Sequence, residues 1–106
     1  MRKKGELAEL KMKKVLGVNT LFDENKYICR KIRYDAKQEC IYLVLEDDDI
    51  TEISLDAIYE CVITLKGEKI ACTGRVKERY NSEPGQILKF EIENGFYKIN
   101  VNSVDK

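Results

Sequence analysis

The chain has 106 residues, 43% apolar and 36% charged, which suits one domain around one modest core and excludes a disordered tail. Its 19 basic and 19 acidic residues cancel, so it lacks the basic excess usual in nucleic-acid binders. It contains no histidine, which excludes every catalytic arrangement built on a histidine base or ligand, and no apolar run approaches the ~18 residues of a membrane span.

The first segment, residues 2–16, is expected to form a short N-terminal arm or helix. Ala8, Met12, Val15 and Leu16 share a helical face, Glu9 precedes Lys13 by four, and Gly17 stands where a helix would stop. Part of the same segment also suits a first strand. Behind Arg2, Lys3 and Lys4 come Glu6 and Glu9 where the apolar stretch of a signal peptide would lie, so a cytoplasmic location is expected.

From Lys26 onward the pattern is β. Tyr27–Tyr34 and Cys40–Leu45 are rich in aromatic and β-branched residues and flank the polar turn Asp35-Ala36-Lys37-Gln38. Residues 61–65 and 69–76 flank Lys66-Gly67. A two-residue loop there places Cys61 opposite Cys72 and Ile63 opposite Ile70. Asn81-Ser82-Glu83-Pro84-Gly85 reads as a loop. Residues 87–92 alternate, with Leu88, Phe90 and Ile92 on one side, and Asn94-Gly95 reads as a tight hairpin turn before a last strand over 96–101. The expectation is a single all-β domain: a small antiparallel barrel of five to seven strands, closed so that no edge is left bare.

The four cysteines, Cys29, Cys40, Cys61 and Cys72, are separated by ten, twenty and ten intervening residues, far from the spacing of structural zinc sites, and read as reduced core thiols. With neither histidine nor a metal cluster, no catalytic residue is assigned and the protein is expected not to be an enzyme. The charges are segregated. Residues 1–44 carry eleven bases and six acids, whereas residues 45–65 carry seven acids and no base. A basic arm beside an acidic belt suits anion binding or docking to a partner.

Within that acidic belt lies ITEISLDAI, with the pattern Glu52-x-Ser54-x-x-Ala57. It resembles the Asp/Asn-x-Ser-x-x-Gly signature of PilZ domains, the small β-barrels that bind cyclic di-GMP. The stretches ITEISLDAIYECVI and KIACTGRVKERYNSEPGQILKFEI are similar to that family's signature strand and its later strands. KYICRKIRYDAKQECIYLVL followed by an acidic turn and GRVKERY is also similar to the N-terminal PilZ-like barrel of flagellar brake proteins. The resemblance implies a PilZ-like split barrel, with Lys26, Arg30 and Arg33 meeting phosphate and guanine, and Glu52 and Ser54 completing the purine contacts. Planar guanidinium donors are the groups such a dinucleotide needs.

The pattern is altered. Glu52 is one methylene longer than aspartate, and Ala57 replaces the glycine. Lys26-x-x-x-Arg30 begins with lysine, and the spacing of Arg30 and Arg33 would point them to opposite faces of a regular strand. Arg75 and Arg79 have the family's arginine spacing but follow the serine motif, and read as surface partners of Glu78 or Glu91. The reading is therefore a degenerate PilZ-like regulatory module with weak or no cyclic di-GMP binding, acting through a protein partner or a second copy of itself. The alternatives are a barrel that binds single-stranded nucleic acid on Tyr27, Tyr34 and Tyr42, and an assembly module with no ligand. No cofactor, metal or membrane insertion is expected.

Overall fold

In the computed structural model, which describes residues 5–83 and 85–98, the alternation of apolar residues is resolved into six antiparallel strands. They are β1 (Glu6–Val15), β2 (Lys26–Asp35), β3 (Cys40–Leu45), β4 (Ala57–Leu65), β5 (Glu68–Ser82) and β6 (Gly85–Lys98). Their order around the wall is β1-β2-β3-β6-β5-β4, and β4 pairs back to β1, so the barrel is closed. The connections over 16–25 and 46–56 share one end with the β5–β6 turn. The short turns over 36–39 and 66–67 lie at the other. The first of these is the loop end of the barrel and the second its turn end.

The N-terminal segment is strand, not helix. Ala8, Leu10 and Met12 alternate inward with period two, and both neighbours, β2 and β4, offer a ladder along this length. Tertiary pairing overrides the local helical periodicity. The Lys66-Gly67 turn forms as expected. Both residues have positive φ (49° and 87°), the conformation of a two-residue hairpin loop, and Leu65 pairs with Glu68. Cys61 then faces Cys72 and Ile63 faces Ile70.

Two expected turns are displaced. The loop expected over 81–85 is shorter than that, because Asn81 and Ser82 still pair with Gln86 and Gly85; Pro84 itself lies outside the described residues. Asn94-Gly95 is not a hairpin but part of β6, which runs straight through to Lys98. The fifteen-residue β5 supplies a partner for this length, with Thr73 opposite Asn94 and Ala71 opposite Tyr97, and irregular register at Thr73 absorbs the mismatch. The residues beyond Lys98 that the last expected strand would have included lie outside the described residues.

The core fills the barrel with side chains. Leu10, Met12, Tyr27, Leu43, Tyr59, Ile63, Leu88 and Phe90 are all buried, as are the four cysteines, which are free thiols. Burial lifts the Cys29 thiol to about 12, and the neighbouring Cys72 together with burial holds Cys61 far above the ordinary thiol range. Cys29 and Cys61 therefore act as small hydrophobes and not as nucleophiles near neutrality.

Candidate functional site

The residues that carry the PilZ resemblance sit on two parts of the barrel. Lys26, Arg30 and Arg33 lie along β2, while Glu52 and Ser54 lie on the loop between β3 and β4, at the loop end. Glu52 is exposed, in a short 3-10 turn over Ile50–Glu52. The Asp49 side chain starts this turn by accepting from the Thr51 amide, and that bond holds the Asp49 carboxyl below its usual range. Ser54 is half-buried and internally engaged. Its Oγ accepts the Asp56 amide at 3.0 Å, and its own amide donates to the Tyr59 hydroxyl at 2.9 Å.

On β2 the register shifts between Lys31 and Arg33. Arg30 is opposite Val44 and Arg33 opposite Tyr42, two residues that share the outer face of β3. The bulge thus corrects the expectation from spacing: the two arginines stand on the same face. Arg33 lies over the Tyr42 ring at 4.1 Å, in cation–π geometry. The Arg30 Nε faces the Glu46 carboxylate at 3.8 Å, and Lys26 stands 3.6 Å from Glu9. Among the described residues no hydrogen bond or ion pair joins Lys26, Arg30 or Arg33 to Glu52 or Ser54.

The groups that do reach the serine motif come from β5 and β6. Arg79 Nη1 donates to the carbonyls of Ile53 and, at 3.3 Å, Thr51, and Arg75 donates to the Leu55 carbonyl at 3.4 Å. A register shift between Val76 and Glu78 puts these arginines on opposite faces of β5, Arg75 opposite Glu91 and Arg79 opposite Leu88. They close on the loop from outside and from across the barrel mouth. The expected pairing with Glu91 belongs instead to Lys77, at 3.7 Å.

Gln86 completes the grip. Its Nε2 donates to the Asp48 carbonyl at 2.7 Å, and its Oε1 accepts the Ile50 amide at 2.8 Å. Gln86 and the Tyr59 hydroxyl were not singled out by sequence. A glutamine after a turn and a core tyrosine carry no spacing that marks them, and their role exists only once the strands are in register.

Ala57, at the motif's glycine position, begins β4 and is fully buried without positive φ. Its methyl group belongs to the core, so this backbone does not call for glycine there. At the same end, Tyr27 donates to the Asp23 carboxylate, and burial with this bond raises its pKa well above the ordinary tyrosine value. Among the described residues no group of three or more cysteine, aspartate or glutamate side chains could hold a metal ion, and no helix is long and apolar enough to cross a membrane.

Comparison with protein-family models, curated proteins and solved structures gives no match to this chain.

Proposed function

We infer that the protein is a non-enzymatic regulatory barrel of PilZ-like type that works through protein contacts and binds cyclic di-GMP weakly or not at all. One observation carries this reading. The guanidinium groups that approach the serine motif, those of Arg75 and Arg79, are occupied by backbone carbonyls of the motif's own loop. The β2 arginines are turned to Glu46 and Tyr42 on the outer wall. A dinucleotide with two phosphates would have to displace these partners and lie beside Asp47, Asp48 and Asp49, at a Coulombic cost.

The nucleic-acid alternative has less support. Of the three tyrosines it would use for stacking, Tyr27 is in the core, Tyr34 is packed edge-on to Phe96, and Tyr42 lies beneath Arg33.

The test is calorimetric titration with cyclic di-GMP, with GMP as control, at moderate salt. The expected result is no saturable heat in the micromolar range and no rise in melting temperature. Saturable binding abolished by Arg30→Ala and untouched by Arg75→Ala would sink the reading and assign the ligand to Lys26, Arg30, Arg33, Glu52 and Ser54.

A further inference from the structure

The loop end of the barrel carries both signs of charge, on opposite sides. Lys11, Lys13 and Lys14 are exposed on the second half of β1. Asp47, Asp48 and Asp49 follow β3, and the Asp48 carbonyl is tied to Gln86 at the start of β6. In the order of the strands β6 stands three places from β1 in either direction, so the two clusters lie on opposite sides of the mouth. Among the described residues no ion pair takes up any of these six side chains, whereas Lys26, Arg30, Lys31, Lys77 and Lys98 each have a glutamate beside them.

The same end is apolar at its tip. Leu16, Val18, Leu21, Phe22 and Leu55 are five of the ten exposed large apolar side chains among the described residues, and all five lie on the two loop-end connections. Val18 is 98% and Leu21 86% exposed. The connection over 16–25 is nevertheless fixed at both legs. The Leu16 amide donates to the Asp56 carbonyl at 2.8 Å, the Tyr27 hydroxyl donates to the Asp23 carboxylate, and the Asp23 amide donates to Met12 Sδ at 3.3 Å. Beside it opens a cleft of about 340 Å³ lined by Lys11, Met12, Lys13, Phe22 and Glu24.

An apolar surface held out in this way marks a contact, and the charges around it say with what. The aspartates repel a uniformly anionic surface and the lysines a uniformly basic one. A second copy of the chain complements both. Turned about a two-fold axis that lies across the mouth, it sets the lysines of each copy against the aspartates of the other.

We propose that the loop end is a self-association surface: two copies meet mouth to mouth about a two-fold axis, bury Leu16, Val18, Leu21 and Phe22, and set Lys11, Lys13 and Lys14 of each copy against Asp47 and Asp48 of the other. Apolar contact supplies affinity. The charges select the orientation, because the other two-fold stacking of the mouths places lysines on lysines. The proposal rests on the reading that the barrel acts through protein contacts, and names one of them.

The test is a charge exchange on the whole protein, read by light scattering after gel filtration and by native mass spectrometry. The wild type should be a dimer whose affinity falls as salt rises. A variant with Lys11→Glu, Lys13→Glu and Lys14→Glu, and another with Asp47→Lys and Asp48→Lys, should each dissociate about tenfold or more readily alone. Mixed, they should form a heterodimer, since both contacts again join opposite charges. Asp49 is left in place because it starts the 3-10 turn. Leu21→Asp, at a position so exposed that the melting temperature of the monomer should not change, should also separate the copies. A wild type that stays monomeric at every concentration, variants that dimerise alone, or a mixture without heterodimer would each overturn the proposal. So would oligomers that grow with concentration, the mark of head-to-tail contact. Binding of cyclic di-GMP would instead refute the regulatory reading and leave the charge-exchange result standing.

Discussion

Replacing Gln86 by leucine tests whether the β5–β6 hairpin holds the motif loop in place. The side chain is half-buried and makes two bonds to the loop, from Nε2 to the Asp48 carbonyl at 2.7 Å and from the Ile50 amide to Oε1 at 2.8 Å. Leucine keeps the volume and removes both. Each such bond contributes about 1 kcal/mol net, so the loss should be about 2 kcal/mol. For a chain of this length the unfolding entropy is roughly 0.2 kcal/mol per degree, and the midpoint should fall by roughly 9 °C. Thermal unfolding followed by circular dichroism measures the shift, and hydrogen exchange should show the Ile50 amide losing protection. Gln86→Glu should cost more near neutral pH, because it loses the donor and sets a carboxylate against Asp47–Asp49. A Gln86→Leu protein that melts with wild type and still protects Ile50 would show that the loop is held without this side chain.

Gly74→Ala should prevent stable folding, since a Cβ there would lie 1.9 Å from the Glu91 carbonyl oxygen, on backbone that β5–β6 pairing fixes; a soluble variant with the wild-type melting point would refute the close approach. Ala57→Gly restores the PilZ-type residue yet removes a core methyl group and frees the unfolded chain, so it should cost about 1–2 kcal/mol in urea unfolding without creating cyclic di-GMP binding. Stability should fall as pH rises above about 9. Burial and neighbouring groups raise the folded-state pKa of Cys29, Cys61, Tyr27 and Tyr59, so the unfolded chain loses protons first, and the Cys29 contribution declines from the ordinary thiol value up to about 12. Each such group adds a slope of up to ~1.4 kcal/mol per pH unit, and an unfolding midpoint flat across that alkaline window would contradict their burial.

The fold was largely legible because a closed barrel writes its inner face into the sequence with period two. Cys61, Ile63, Ile70, Cys72, Leu88 and Phe90 follow that rule, and the Lys66-Gly67 turn fixes the register of one hairpin without reference to anything distant. Where local propensity and long-range pairing disagree, pairing prevails. Residues 6–15 have helical periodicity, and Asn94-Gly95 has turn chemistry, yet each lies beside a strand long enough to pair it. The energy of such ladders depends on distant strands, Asn94 pairing with Thr73 and Ala8 with Ile63, which a local window does not contain.

The site was less legible for a geometric reason that recurs in both arginine pairs. Spacing converts to facing only along a regular strand, and a single bulge inverts the conversion. Arg30 and Arg33, three apart, were expected on opposite faces; the shift after Lys31 brings them together over Val44 and Tyr42. Arg75 and Arg79, four apart, would share a face; the shift after Val76 divides them, one outside the wall and one across the mouth. The divided pair can clamp the 51–55 loop from two directions, which a pair on one face could not. The joined pair forms an outer basic surface whose partners are Glu46 and Tyr42. Arginine spacing taken from the sequence therefore argues for a phosphate-binding pair only after the register on either side is known. Here that register assigns the motif-adjacent guanidiniums to holding the loop.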